Sequence, residues 1–274
     1  MQHLEEVVGT PLLHRGSKGV SLTEAGKDFL VVSDHLIDQM DQALSDLRGY
    51  ARLQRGSLTI AALPSIATSF MPRLLGLFRA EHPNIRINIH DALTDQVLDR
   101  VTRGLCDMGV IVSSSDDASF DCHVIATDKM VVICPPGHAL ATRRRISWAE
   151  VSGHPFIGLS RHSSTREIVD RSFAQAGQFV EPEYEVQNVS AAARMVEAGL
   201  GLTIVPELSG PLLGDSNVIW IDLIDPTVYR QIRLIKLAGR TLTPAAQAFW
   251  QHILNYKHLF DARPYRRPAI GPDV

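Results

Sequence analysis

The fold is decided by residues 58–112, which read LTIAALPSIATSFMPRLLGLFRAEHPNIRINIHDALTDQVLDRVTRGLCDMGVIV. Residues 58–63 and 108–112 are short apolar runs typical of buried strands, and residues 85–89 alternate isoleucine with polar residues as in a half-buried strand. Between these strands, apolar residues return every three or four positions, as on one face of a helix. They are Phe70, Leu74, Leu77 and Phe78, and then Val97, Leu98 and Val101. Strands that alternate with helices in this way predict a parallel sheet with right-handed crossovers.

The same alternation returns later in the chain. Strands are predicted at residues 130–134, 183–187, 202–205 and 232–237, and helices at residues 164–177 and 190–198. Ser164 to Glu167 has the order of a capping box, which opens the first of these helices. Thr243 and Pro244 predict the N-cap and first turn of a last helix. The chain from residue 56 onward is therefore predicted to be an α/β protein with two lobes.

A long amphipathic helix precedes the sheet. Thr23 is a suitable N-cap, and apolar residues recur at threes and fours from Phe29 to Ala51. About 30 residues at a rise of 1.5 Å give a helix of roughly 45 Å. A helix of that length with one apolar face favours pairing with a second chain over burial in its own core. Ahead of it, residues 4–8 predict the end of a helix and residues 15–21 the turn of a hairpin.

Composition excludes several classes of protein. The 274 residues are 45% hydrophobic and 21% charged, which excludes a wholly disordered or collagen-like chain. No apolar run approaches the roughly 18 residues of a membrane helix, and the first residues lack the features of a secretory signal, so a cytoplasmic protein without membrane contact is expected. Three cysteines without a C-x-x-C motif favour reduced thiols. The net charge of −3 means that any contact with DNA must come from a few placed residues.

A search for catalytic motifs finds none. Gly199-Leu200-Gly201 has Ile204 where a dinucleotide fingerprint needs its third glycine, and it follows a helix instead of a strand. Ser160 and His162 lack the second glycine of a nucleophile elbow. Cys134 and His138 have the spacing of a metal pair, but the intervening Pro-Pro-Gly is better explained as a turn. We therefore predict no enzyme activity, no cofactor and no metal.

Two α/β lobes without catalytic residues indicate a ligand-binding protein, with the ligand at the carboxyl ends of the strands. Several candidates begin helices, where free N–H groups favour an anion, and Arg161 would add a positive charge. Each Ser or Thr has the alternative of simple helix capping, but four such segments at one crevice favour a shared site. The predicted ligand residues are Ser65, Ile66, Thr94, Ser160, Arg161, His162, Ser163, Gln187, Asn188 and Val189.

The chain resembles the LysR-type transcriptional regulators over roughly residues 1–258. The resemblance starts with LEEVVGTPLLHR at residues 4–15 and LTEAG at residues 22–26. It continues through Leu74-Leu75, Phe78, Pro83, GLCD at 104–107, GHAL at 137–140, VEAGLG at 196–201 and TPAA at 243–246. The order and spacing of these motifs are specific to that family.

The resemblance implies a fold, a division into domains and a function. Residues 1–21 would be the C-terminal part of a winged helix-turn-helix domain, 22–55 a dimerising linker helix, 56–126 with 238–260 effector lobe I, and 127–237 effector lobe II. Residues 261–274, beyond the resemblance, are predicted from their prolines and arginines to be a disordered tail, and they lie outside the residues that the structure describes. The two lobes would resemble a periplasmic binding protein, with crossings near residues 125–127 and 237–239. Family members act as dimers of dimers controlled by a small, often anionic inducer.

The resemblance also implies roles for individual residues. Inducer contacts would fall on Ser65, Thr94 and residues 187–189, and more loosely on residues 160–164. Arg15, Ser17 and Lys18 of the wing would contact DNA phosphates.

The helices that read operator DNA in the family would lie upstream of Met1. Three alternatives stay open beside an inducer-controlled regulator. They are a truncated subunit that binds effector and forms mixed oligomers, a cytoplasmic solute-binding protein, and an enzyme.

Overall fold

The computed structural model of the protein describes residues 2–16, 19–48, 56–113 and 117–260. The first segment is a short helix followed by a hairpin, as predicted. Helix α1 (Gln2–Val8) ends at Gly9, whose φ of +73° is the left-handed conformation that suits glycine, and strands β1 (Leu13–Gly16) and β2 (Gly19–Leu22) pair antiparallel.

Helix α2 (Glu24–Arg48) is the predicted long helix and has 25 residues. Its predicted N-cap is confirmed, because the Thr23 Oγ1 accepts a hydrogen bond from the amide of Gly26 at 2.9 Å. Gly26 also allows α2 to pack closely against the residue before β1. A Cβ atom at position 26 would lie 2.0 Å from the carbonyl oxygen of Leu12, which is too close for any other residue type. The predicted continuation to Ala51 lies outside the described residues.

The rest of the described chain is an α/β body. Its strands are β3 (Gly56–Ala62), β4 (Ile85–Asp91), β5 (Met108–Val112), β6 (Phe120–Cys134), β7 (Arg145–Ser147), β8 (Ile157–Leu159), β9 (Tyr184–Val186), β10 (Thr203–Pro206), β11 (Ile219–Ile224) and β12 (Tyr229–Leu237). Its α-helices are α3 (Pro64–Ser69), α4 (Met71–Glu81), α5 (Thr94–Thr102), α6 (Trp148–Ser152), α7 (Ser164–Gln175), α8 (Val189–Glu197), α9 (Gly210–Leu213) and α10 (Pro244–Asn255). Short 3₁₀ helices lie at Glu207–Ser209 and Lys257–Phe260. No helix in the described ranges is long and apolar enough to cross a bilayer.

The main sheet has eight strands in the order β4-β3-β5-β12-β6-β11-β7, with β10 also paired to β6. Strand β3 pairs parallel with β4 and β5, as the alternation of strands and helices predicted. Strand β12 is antiparallel to both β5 and β6, so the sheet is mixed and not wholly parallel. Strands β8 and β9 form a separate parallel pair.

Strand β6 divides the body into two halves. Residues 120–129 pair with β12, whereas residues 130–134 pair with β10 and β11. We call the part built on β3, β4, β5, β12 and the start of β6 the first half. The part built on β7 to β11 and the end of β6 is the second half.

Two boundaries differ from the sequence-based expectation. Strand β6 begins at Phe120, not at Met130. Residues 232–237 were assigned to lobe II, but Ile232–Ile235 pair with β5, which puts β12 in the first half. The chain thus re-enters the first half near Tyr229, ahead of the expected crossing at residues 237–239. The expected crossing came from the family resemblance by position, and the apolar run itself could not correct it, because a buried strand has the same pattern in either half.

Each half has its own hydrophobic core. In the first half, Phe78 of α4 and Phe249 of α10 pack edge to face at 4.9 Å on one side of the sheet, while Val97 and Val101 of α5 pack on the other. In the second half, Trp148 belongs to the core beneath α7 and the alanines of α8 belong to the opposite core. The surfaces where the halves face each other carry polar side chains and helix ends together with apolar residues such as Leu98 and Phe120.

One predicted cap is displaced by a residue. Helix α7 begins at Ser164, and its N-cap is Ser163, whose Oγ accepts from the amides of Thr165 at 3.2 Å and Arg166 at 3.4 Å. The capping box read from Ser164 is therefore wrong. The Thr243 cap of α10 is confirmed by its bond from the amide of Ala246 at 3.3 Å.

Candidate functional site

Three adjoining cavities lie between the two halves. We call them the inner cavity (about 100 Å³), the outer cleft (about 510 Å³) and the side cleft (about 360 Å³). Ser164, the first residue of α7, lines all three. The start of α7 is thus the centre of the region in which the halves meet.

The inner cavity is built from the segments that the sequence pointed to. Its wall contains residues 63–65 between β3 and α3, residues 163–165 at the start of α7, and residues 187–190 at the start of α8. These segments meet because a strand of each half ends there and a helix begins. Helices α7 and α8 therefore turn their N-terminal, electropositive ends toward this cavity.

The predicted ligand residues divide between two cavities. Ser65, Ser163, Gln187, Asn188 and Val189 line the inner cavity. Thr94, Arg161 and His162 line the outer cleft together with Ser163.

Two predicted residues line none of the three cavities. Ile66 has no exposed surface and lies in the hydrophobic core of the first half. Ser160 lies in the turn before α7, where its amide donates to the carbonyl of Val186 at 2.8 Å.

Helix capping accounts for two of the predicted side chains. Ser163 caps α7, and the Asn188 Oδ1 caps α8 by accepting from the amide of Ala191 at 2.8 Å. Thr94 differs, since the N-cap of α5 is Leu93. Helix capping therefore explains why Ser163 and Asn188 are polar. It does not explain Thr94, which stays a candidate for contact with a ligand.

A buried ion pair that the sequence analysis missed forms one wall of the inner cavity. The Arg230 Nε donates to the Asp128 Oδ2 at 2.8 Å, and its Nη2 donates to the Ser65 Oγ at 2.9 Å. The Asp128 Oδ1 accepts from the amide of Leu208 at 3.1 Å. Burial raises the pKa of the Asp128 carboxyl, and the adjacent guanidinium opposes that shift. No local signal marked this pair, because its members are 102 residues apart in the chain.

Two hydroxyl groups at the cavities are shielded from solvent and have no hydrogen-bond partner within the described ranges. Ser209, which has no exposed surface, is among the residues that line the inner cavity. Thr94 is among the residues that line the outer cleft. An unsatisfied buried hydroxyl costs about 1–3 kcal/mol, and a bound ligand would relieve that cost once the side chain turned its oxygen into the cavity. Ser209 was not predicted, because it sits in a 3₁₀ turn that the sequence pattern did not indicate.

The outer cleft combines an apolar floor with charges of both signs. Leu98, Ile111, Phe120 and Ile235 supply the apolar surface. Arg161 and His162 come from the second half, and Asp95 and Asp117 from the first. Arg233 also lines the cleft, where it donates to the Gln231 Oε1 at 2.8 Å and to the Cys122 Sγ at 3.6 Å.

The predicted DNA contacts of the wing fall outside what the structure describes. Ser17 and Lys18 lie between the described ranges, and of Arg15 only the main chain is described. Over the described residues, no group of three or more metal-ligating side chains is found.

Residues 51–257 match the family model of the LysR substrate binding domain. The chain belongs to the LysR family of transcriptional regulators. The match spans both halves and therefore includes all three cavities. The α/β fold with a periplasmic-binding-protein-like effector domain, predicted from the sequence, is confirmed by this match and by the solved structures below.

Known LysR proteins match nearly the whole chain. YbhD of Escherichia coli (strain K12), described as an uncharacterized HTH-type transcriptional regulator, is 29% identical over 255 residues, which are 93% of this chain and 80% of that protein. Such relatives are transcriptional regulators and not enzymes, which supports the prediction that this chain is not an enzyme.

Two solved structures share the fold. The effector binding domain of QuiR in complex with shikimate has a TM-score of 0.70 at 20% identity, covering 75% of this chain and 99% of that one. The LysR family transcriptional regulator CbnR has a TM-score of 0.73 at 20% identity, covering 93% of this chain and 86% of that one. The two structures therefore agree with the family model in giving this LysR-type regulator the fold of an effector-binding domain.

Proposed function

We propose that this LysR-family regulator responds to a small organic anion that binds in the inner cavity, between two lobes that correspond to the two halves. The observation that carries the proposal is the convergence of the starts of α7 and α8 on one cavity with the unpartnered Ser209 hydroxyl. Helix N-termini favour negative charge, and buried hydroxyl groups can donate to carboxylate oxygens.

The lining of the inner cavity has no negative charge that would oppose an anion. Among the described residues that line it, no Asp or Glu is present, and the one ionisable side chain, Arg230, is already paired with Asp128 behind the wall. The shikimate bound to QuiR is itself a carboxylate, which supports the same class of ligand here.

A comparison of organic acids with their primary amides tests the proposal. Each pair has the same shape and differs in the charge of the head group. We expect several acids to raise the melting temperature of the protein, while the matched amides do not. Amides that stabilise the protein as well as their acids would contradict an anion site.

The proposal extends to the partners of the regulator. We propose that α2 pairs with a second copy to form dimers and tetramers in the cytoplasm. Where the operator-reading helices of the family are present, we propose that the regulator binds operator DNA, with Arg15, Ser17 and Lys18 of the wing at DNA phosphates. Contacts with phosphates make the affinity for DNA fall as the salt concentration rises, so binding of such a protein to DNA upstream of its own gene should weaken steeply between about 50 and 200 mM salt. A protein that carries those helices and does not bind this DNA at low salt would contradict this part.

A further inference from the structure

We infer that the second half carries a surface through which two copies of this chain associate, separate from the apolar face of α2. We call it the α6 strip, and it consists of residues 143–145, helix α6 and residues 178–183. The inference rests on the proposed pairing of α2, because it names the contact that joins two α2-paired dimers into a tetramer.

Two contacts place these segments along one surface. The Arg143 Nη2 donates to the Glu150 Oε1 at 2.9 Å, which holds the basic run before β7 beside the first turn of α6. The Ser152 Oγ donates to the Gln178 Oε1 at 2.9 Å, which holds the segment after α7 beside the last turn of α6. Helix α6 has five residues and is therefore about 7.5 Å long, so the strip is short and continuous.

The two ends of the α6 strip carry opposite charges. Arg145 is exposed at one end, and Glu181 and Glu183 are exposed at the other. None of these three side chains forms an ion pair with another residue that the structure describes. Asp222, which is opposite Arg145 in the register of β7 and β11, has an ion pair with Lys129 at 3.0 Å. The strip therefore presents charge of both signs to solvent, with α6 between the two ends.

An exposed aromatic ring lies between these charges. Phe179 is 90% exposed, which is the highest exposure among the large hydrophobic side chains of the described residues. Its neighbour Gln178 is bonded to α6, and its neighbour Val180 packs against the core of the second half. The main chain on both sides of Phe179 is thus held in place while its ring stays in water. Aromatic anchors at the centre of a contact, surrounded by polar residues, are typical of protein interfaces.

A second copy of this chain is the partner that fits the strip. A two-fold axis near the middle of the strip would set the basic end of each copy against the acidic end of the other. Each Phe179 ring would then lie near the axis, where the exposed and small Ala149 of α6 leaves room for it. A partner with charge of one sign would match one end of the strip only. Because the charges stay near water, this contact is weaker than the pairing of α2, and tetramers form at higher concentration than dimers.

Charge reversal tests the inference on the full chain, with sedimentation over a wide range of protein concentration. Arg145→Glu makes the strip acidic at both ends, and Glu181→Arg with Glu183→Arg makes it basic at both ends. Either reversed chain alone should associate from dimer to tetramer with a Kd raised about tenfold or more, because like charges then meet at both ends of the contact. An equal mixture of the two reversed chains should recover the Kd of the parent chain, because each acidic end again meets a basic end.

The ring is tested separately from the charges. Phe179→Gln should weaken the association of dimers by a similar factor and leave the dimers intact. Val20→Gln is the matched control, because it removes an apolar side chain that is 64% exposed on the β2 strand of the hairpin, outside the α6 strip. All of these positions are exposed, so the melting temperatures of the dilute variants should equal that of the parent chain.

The mixture separates the inference from a defect in folding, since a misfolded chain would fail in the mixture as well. Reversed chains that each form tetramers like the parent chain would overturn the inference, as would a mixture that associates no better than its components. A parent chain that stays a dimer at every concentration would overturn the α6 strip and leave the pairing of α2 intact. A parent chain that stays a monomer throughout would overturn both.

Discussion

Single buried polar residues determine the shape and charge of the inner cavity. The pair of Arg230 and Asp128 is almost wholly shielded from solvent, with side-chain exposures of 2% and 1%. It joins the point where β6 leaves the first half to the start of β12, and through Ser65 it reaches α3. A buried pair adds little net stability, but removal of one member leaves the other without compensation.

The first prediction concerns this pair. Asp128→Ala leaves the Arg230 guanidinium buried without its carboxylate and should lower the free energy of unfolding by about 3–5 kcal/mol. Chemical denaturation measures the change. The double variant Asp128→Leu with Arg230→Met, which removes both charges, should lose much less. If the single and double variants lose the same free energy of unfolding, the loss comes from packing around these side chains and not from an uncompensated charge.

A buried histidine gives the protein a pH-dependent stability. Burial lowers the pKa of His252, whose Nε2 lies 3.0 Å from the Leu74 carbonyl oxygen. Its pKa in the folded state is below the unfolded value of about 6.5, so the unfolded chain takes up the proton first as the pH falls. Stability should therefore be complete above about pH 7 and decrease as the pH falls below 6.5.

The variant His252→Gln isolates this contribution from the other histidines. It retains a hydrogen-bond donor but has no proton to take up, so the loss of stability between pH 7 and pH 5 should be smaller than in the parent chain. Thermal melts at a series of pH values measure both slopes. Identical slopes would show that His252 does not control this region of the curve.

At the scale of elements, α2 has two different faces. His35, Gln39 and Gln42 share one side, from which the Gln39 Nε2 donates to the Gly104 carbonyl at 3.5 Å and Gln42 accepts from the Ser57 hydroxyl. The opposite side exposes Leu36, Ile37 and Met40 at 58%, 59% and 67%. The helix thus rests on its own effector domain through polar groups and leaves its apolar face uncovered within the described part of the chain.

The second copy proposed for that face can be tested with one charge. Ile37→Asp buries a carboxylate in the apolar contact between paired helices and should convert dimers to monomers, because an unpaired buried charge is costly. Asp38→Lys, which changes charge at an exposed position on the side of α2 away from the apolar face, is the matched control. Light scattering gives the mass. An unchanged mass in Ile37→Asp would contradict the pairing of α2. Leu44 and Leu47 extend the same face by their spacing, although their side chains lie outside the described residues.

Local sequence signals predicted many of these elements. The Thr23 and Thr243 caps, the hairpin and the parallel strands of the first half follow from capping chemistry and periodicity, both of which act over a few residues. Strands β7, β8 and β11 were not predicted. The first two have three residues each, and all three acquire their stability from pairing with distant strands. The position of β12 in the first half likewise depends on pairing, which the apolar run does not encode.

At the scale of the whole molecule, the candidate site exists because two halves, each with a core of its own, meet across helix ends. Most segments of the candidate site were predicted from the rule that ligands bind beyond the carboxyl ends of strands. Arg230 and Ser209 were not predicted, because their positions depend on contacts between distant parts of the chain. Arg230, for example, contacts Ser65, which is 165 residues away in sequence. Of the two apolar residues predicted as ligand contacts, Val189 lines the inner cavity, whereas Ile66 lies in the core because the first turn of α3 faces the sheet.

The function proposed for this regulator depends on an effector that binds in the inner cavity. The most direct test is the melting temperature of the protein and two variants with a library of organic acids. Val189→Trp, at the cavity wall on the first residue of α8, should block binding, while Ala198→Trp, exposed beyond the other end of that helix, should not. We predict acids that stabilise the parent chain and Ala198→Trp by several degrees but leave Val189→Trp unchanged. Acids that stabilise all three proteins equally would contradict the inner cavity as the effector site.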